Sequence, residues 1–306
     1  MRRLAFLTVA LVGGVAQADI VGDVRGNIAA GRFDDARRLV ADVRAHGDSP
    51  AVLEALSWLA RGELAQRKLD DALRDAAATK TAALALLKSR PLDAEPRLPI
   101  ALGAAIEVTA QARAAKGERA EAVAELQAER DRYAKTSLAL RIQKNLNLLT
   151  LEGKTAPPLE REPHFGAAVP PLASLVGKPV LLFFWAHWCP DCKATAPIIA
   201  RLQTEFAQSG LMVIAPTQLY GAVAGGEEAT PAVEMPYIDE VRRQRYGALG
   251  DAPVPVSAAN FKSYGASSVP TIVVLDRAGK VALYHPSKMS YDELRPFVAA
   301  AARAKR

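Results

Sequence analysis

Val180-Leu181-Leu182-Phe183-Phe184-Trp185-Ala186-His187-Trp188-Cys189-Pro190-Asp191-Cys192-Lys193 decides the reading of this chain. Its first six residues are a short, aromatic-rich apolar run, the pattern of a central strand covered on both faces. Helical spacing follows from Ala194 to Phe206, so the two cysteines sit where a strand turns into a helix. At a helix start the free backbone N–H groups and the dipole favour a thiolate over a thiol, which lowers the pKa of the first cysteine. Two intervening residues bring the second sulfur within bonding distance in one helical turn. Cys189 is therefore the expected attacking thiolate and Cys192 the resolving thiol, with Pro190 and Asp191 between them tuning the pair.

Phe184-Trp185-Ala186-His187-Trp188-Cys189-Pro190-Asp191-Cys192 resembles the thioredoxin active site, and more narrowly that of TlpA/ResA-type exported thioredoxins. The resemblance continues through Glu152-Gly153-Lys154-Thr155-Ala156-Pro157 and Leu175-Val176-Gly177-Lys178-Pro179. It reappears in Ser268-Val269-Pro270-Thr271-Ile272-Val273-Val274-Leu275-Asp276-Arg277-Ala278-Gly279 and covers about Gly153 to Ala302. It implies an α/β thioredoxin fold in which Pro270 is cis and lies against the disulfide. Val269 would pair through its backbone with an extended substrate, and Trp188 would cover the disulfide. The implied activity is protein-disulfide reduction with no cofactor beyond the Cys189–Cys192 disulfide. The implied partners are disulfide-containing exported proteins, such as cytochrome c maturation or copper-delivery proteins, and a membrane-embedded electron donor.

The sequence departs from that family at two positions. The buried acid six residues before the first cysteine is replaced by Phe183, and the Glu that exported relatives often place three after the second is replaced by Thr195. The base for Cys192 is thus left open among Asp191, His187 and water, with His187 expected at the surface. Leu219 to Ala259 matches the family's central insertion in place and is expected to shape the substrate groove.

A C-x-x-C pair is also half of a metal site, but no second pair exists, and His46, His164, His187 and His285 show no ligand spacing. Copper-binding relatives use a wider cysteine spacing plus a placed histidine. A peroxidase would need Thr or Ser three before the reactive cysteine, where this chain has Ala186.

Outward from the motif, 306 residues argue for two domains. A hydrophobic share of 50% and a charged share of 24% exclude an all-disordered, collagenous or multi-span membrane chain. The net charge is +6, of which Arg2 and Arg3 supply two, and no basic run has interleaved aromatics, so a nucleic-acid partner is not expected. Two cysteines in all exclude a disulfide scaffold and a four-cysteine zinc site. Met1-Arg2-Arg3, the apolar run Leu4 to Val15 and Ala16-Gln17-Ala18 have the layout of a signal peptide over 1–18, cleaved after Ala18. The alternative, an uncleaved anchor, falls short of the roughly 20 apolar residues a bilayer needs. No cysteine follows the run, so a lipoprotein anchor is not available. The protein is therefore expected to be exported, to an oxidising periplasm.

Residues 19–152 read as all-helical, with apolar residues recurring at three and four. Gly31-Arg32-Phe33-Asp34-Asp35-Ala36, Arg67-Lys68-Leu69-Asp70-Asp71-Ala72 and, more faintly, Gly117-Glu118-Arg119-Ala120-Glu121-Ala122 resemble the inter-helix turn of tetratricopeptide repeats. Trp58-Leu59-Ala60 is all that matches that family's Trp-Leu-Gly, and a plain antiparallel helix bundle fits as well. Trp58 is expected in the core, Pro91, Pro96 and Pro99 in a break between helices, and a last helix over Ser137 to Leu151. Residues 153–171 are a Pro-rich linker or leading strand holding a solvated His164, and 172–306 are the thioredoxin-like domain. A second functional reading follows: a binding protein whose helical half captures a partner protein and whose thioredoxin-like half is a docking module stabilised by its disulfide.

Overall fold

The computed structural model describes residues 19–304, so the expected signal peptide lies outside the described residues. The described chain divides into two compact units, the first ending at Ala112 and the second beginning at Arg113.

The first unit holds α1 (Ile20–Ala29), α2 (Phe33–Arg44), α3 (Pro50–Ala65), α4 (Leu69–Leu86) and most of α5 (Arg97–Ala115). Ser49 caps α3, its Oγ accepting the Val52 N–H at 3.4 Å, and Pro50 opens the helix where its missing N–H costs nothing. Val24, Ala36, Val40, Val52, Leu56 and Leu59 form one core. Ala60, Ala72, Ala76, Ala105 and Val108 form another, in which small side chains let α3, α4 and α5 approach closely. The repeated hexamers of this unit are helix-to-helix turns with one geometry. Gly31 and Arg67 both take positive φ, +74° and +57°, and the next residue donates its N–H five residues back, Arg32 to Asn27 and Lys68 to Glu63. Trp58 is only half-buried, with the guanidinium groups of Arg25 and Arg61 4.5 and 4.4 Å from its ring centroid, so it is a stacking surface at the edge of the core. Pro91 and Pro96 flank a short 3-10 turn, whereas Pro99 falls inside the first turn of α5, where proline is tolerated.

The second unit contains α6 (Arg119–Arg132), α7 (Ala139–Thr150), β1 (His164–Phe165), β2 (Val180–Phe184), α8 (Pro190–Glu205) and β3 (Met212–Ile214). It continues with α9 (Pro231–Arg245), β4 (Val254–Pro255), α10 (Ala258–Tyr264), β5 (Thr271–Leu275), β6 (Val281–His285) and α11 (Tyr291–Arg303). The main sheet has the order β3-β2-β5-β6, with β2 parallel to β3 and antiparallel to β5. Alternation along β2 sends Leu181 and Phe183 to a core with Ile199 and Leu202 of α8 and Leu294 and Val298 of α11. Val180, Leu182 and Phe184 enter a second core with Phe261 and Tyr264 of α10. A strand covered on both faces has no polar side, which is why the run is continuously apolar.

The compact division falls inside α5 and not at the change from helix to strand near residue 152, because α7 is seated on α10. Asn147 Nδ2 donates to the Ser263 carbonyl at 3.2 Å. Gly265, which ends α10 at φ +59°, lies so close that a Cβ there would sit 2.4 Å from the Lys144 nitrogen.

Residues 153–171 are docked. Gly153 N–H donates to Val281 O at 2.8 Å, Val281 N–H to Lys154 O at 2.9 Å and Ala156 N–H to Gly279 O at 3.1 Å, laying this segment along the edge of β6. Glu160 and Asn260 exchange two hydrogen bonds of 2.8 Å, and His164 and Phe165 pair antiparallel with Pro255 and Val254. His164 is consequently half-buried, its Nδ1 2.7 Å from Glu162 Oε2, and not free in solvent. Among the described residues no helix is long and apolar enough to cross a membrane.

Candidate active site

α8 begins at Pro190, four residues before the periodic pattern, because Cys189 is its N-cap and proline occupies the first turn. Cys192 N–H donates to Cys189 Sγ at 3.0 Å, so the first sulfur receives one of the free donors of the helix start. The two cysteines are disulfide-bonded, with Cα atoms 5.3 Å apart. Both are nearly closed to solvent: Cys192 is fully buried, and Cys189, the expected attacking sulfur, shows only 3% of its surface. What limits access is the loop before β5. The Val269–Pro270 peptide is cis, and the Val269 carbonyl oxygen lies 3.6 Å from Cys189 Sγ.

The backbone leading into the cysteines is held by buried hydroxyls. Trp185 O accepts from Thr217 Oγ1 at 2.9 Å and from Tyr220 Oη at 3.1 Å, and Ala186 O accepts from Tyr246 Oη at 2.9 Å. Burial pushes the Tyr220 and Tyr246 phenols above their ordinary range, so both stay protonated donors. Trp185 Nε1 donates to Ala215 O at 2.9 Å, fixing its ring against Tyr246. Trp188, 54% exposed, stands at the rim with its ring edge-on to Tyr220 at 5.5 Å.

Asp191 projects from the first turn of α8 and pairs with Lys288 Nζ at 2.9 Å, with both side chains more than half exposed. Phe183 lies fully inside the core, and Thr195 Oγ1 donates to the Asp191 backbone O at 2.7 Å. The acid is elsewhere. Glu234, in the first turn of α9 and 1% exposed, accepts the N–H of Tyr220 at 2.6 Å and of Gly221 at 2.8 Å, and its Oε1 is 3.4 Å from His187 Nε2. His187 is itself 1% exposed, enclosed edge-on by the rings of Tyr220 and Tyr237, which corrects the surface placement expected for it. Burial holds its pKa below the ordinary value, with Glu234 pulling the other way. Glu234, Tyr220, Tyr246 and Lys288 were not legible as site residues; nothing in the sequence distinguishes Glu234 from Glu227, Glu228 or Glu240. Among the described residues no group of three or more His, Cys, Asp or Glu is placed to hold a metal ion.

Compared with known proteins, residues 172–302 match the thioredoxin-like domain family. Bovine nucleoredoxin is 26% identical over 113 residues, 36% of this chain and 23% of that protein. The thiol-disulfide oxidoreductase ResA of Halalkalibacterium halodurans is 24% identical over 127 residues, 42% of this chain and 64% of that protein. The chain thus spans less than two thirds of the length of either curated relative. The crystal structure of the exposed lipoprotein thioredoxin of Streptococcus pneumoniae is 24% identical, with a TM-score of 0.37 over 47% of this chain and 98% of the other.

Proposed function

We propose, from the premise that residues 172–302 are a thioredoxin-like domain, that this chain is an exported thiol-disulfide oxidoreductase that reduces disulfides of other exported proteins. The observation that carries the reading is the placement of Cys189 Sγ. It sits at the start of α8, receives the Cys192 N–H, and lies beside the Val269 carbonyl before a cis proline. In the reduced protein the Cys189 thiolate attacks a substrate disulfide, forming a mixed disulfide and releasing one substrate sulfur as a thiolate. Cys192 then loses its proton and attacks the Cys189 sulfur, which frees the second substrate thiolate and closes the Cys189–Cys192 disulfide. Two electrons pass to the substrate. A dithiol donor returns them, and the resemblance to exported thioredoxins favours a membrane-embedded one. Val269 and Pro270 would line the substrate chain, Trp188 would pack on it, and the helical unit would hold a partner protein.

Insulin reduction with a chemical reductant tests the activity, and trapping tests the order of attack. Cys192→Ser is expected to accumulate mixed disulfides with substrate proteins, whereas Cys189→Ser is not. Equal trapping by both variants overturns the assignment of roles, and absence of insulin reduction by the native pair favours the docking-module reading.

A further inference from the structure

His187 and Glu234 form a buried pair of titratable side chains that the exchange reaction just described does not use. Three features set it apart from a structural ion pair. Glu234 is fixed in place as an acceptor by the backbone N–H groups of Tyr220 and Gly221, at 2.6 and 2.8 Å. The His187 ring, 1% exposed, has neither nitrogen in a hydrogen bond, although Nε2 faces Glu234 Oε1 at 3.4 Å. A proton arriving at Nε2 therefore meets a carboxylate oxygen 3.4 Å away. Finally, His187 is two residues before Cys189, which limits their Cα separation to about 7 Å.

The geometry points to His187 as the residue that takes up a proton when the Cys189–Cys192 disulfide is reduced and gives it back when the disulfide re-forms, with Glu234 as the positioning residue that makes this possible. The inference rests on the dithiol reading above. In the reduction step a donor dithiol loses two protons and two electrons. The electrons break the sulfur–sulfur bond, one proton completes the Cys192 thiol, and the second, not needed by a Cys189 thiolate, is held on His187. The opposite step returns it to a departing substrate thiolate. The groups facing the imidazole are Glu234 and Tyr237 from α9, Tyr220 from the insertion loop and Lys193 from α8. Lys193 disfavours the imidazolium and Glu234 favours it, while burial keeps the Tyr220 phenol neutral. The one new charge that reduction brings is the Cys189 thiolate. It attracts the proton, and by reciprocity the imidazolium stabilises the thiolate by the same factor.

The test is imidazole NMR of the full chain between pH 4 and 9, in oxidised and dithiothreitol-reduced protein, with the His187 resonance assigned by its loss in His187→Gln. The expected result is a His187 pKa about one unit higher in the reduced state, a tenfold gain in proton affinity. In Cys189→Ser, which has no thiolate, the titration should match that of the oxidised wild type. Superimposable curves in the two states, or an imidazole neutral in both throughout the range, would overturn the inference. A pair that dithiothreitol cannot reduce reversibly would instead overturn the underlying dithiol reading. Glu234→Gln separates positioning from packing: it should lower the His187 pKa in both states, a change that loss of a purely structural contact would not produce.

Discussion

Asp191 puts a carboxylate into the field at the start of α8, where it opposes the Cys189 thiolate and should make the pair more reducing. Lys288, 97 residues further on, answers that charge at 2.9 Å, and no reading of the motif alone could supply it. Because the two side chains are 53% and 63% exposed, water and salt screen both charges. Asp191→Asn should therefore raise the reduction potential by less than about 30 mV, the equivalent of one thiol pKa unit for a two-electron couple. Lys288→Met should lower it by unmasking Asp191, and Asp191→Asn should have its larger effect in that background. Potentials measured for the four proteins at low salt, across the Cys189 titration, check this. Equal Asp191→Asn shifts with and without Lys288 would show that the ion pair does not couple to the sulfur. His187 makes the same point about legibility. Its place in the motif was plain, but its burial is decided by Tyr220, Tyr237 and Glu234, which come from the insertion and carry no local signal.

At the level of elements, the apolar run over β2 and the cysteine pair at the start of α8 were readable because both depend on nearest neighbours: strand alternation, a cap and a proline. The helical unit was readable in its turns but not in its charges. Glu63 of α3 is 1% exposed, and Arg37 of α2 bridges it to Asp75 of α4. Burial, with the nearby Asp75 charge adding to it and Arg37 opposing it, pushes the Glu63 carboxyl up to about 7. Since the folded chain then holds this proton more tightly than the unfolded chain does, the associated stability is complete below about pH 4.5. It is lost as pH rises through 7, by on the order of 3 kcal/mol at most. Glu63→Gln keeps the neutral form at every pH and leaves Arg37 paired with Asp75. It should match the wild type near pH 4 and melt at a higher temperature at pH 8; parallel melting curves from pH 4 to 8 would refute the buried-proton account.

For the whole molecule, the compact division inside α5 lies well before the change from helices to strands near residue 152. α7 closes on α10 at Gly265, where a positive φ and the Lys144 backbone leave no room for a side chain. Gly265→Ala should cost about 2–4 kcal/mol by adding left-handed strain to an overpacked contact, read as a lower melting temperature. A fragment starting at Arg113 should stay soluble and keep dithiol chemistry on insulin, whereas one starting at Gly153, stripped of α6 and α7, should aggregate or melt well below it. Equal stability of the two fragments would make α7 dispensable. The docked segment 153–156 has a different consequence. The outward N–H and C=O of Val281 are taken by Lys154 and Gly153, and the Tyr284 N–H by the Glu152 carboxylate at 3.2 Å. On the far side, Ala215 and Thr217, just beyond β3, donate to Pro253 and Pro255. A sheet edge with open backbone groups is a place where an extended chain can join as one more strand. By filling these positions from within, the domain closes those edge groups to an incoming strand.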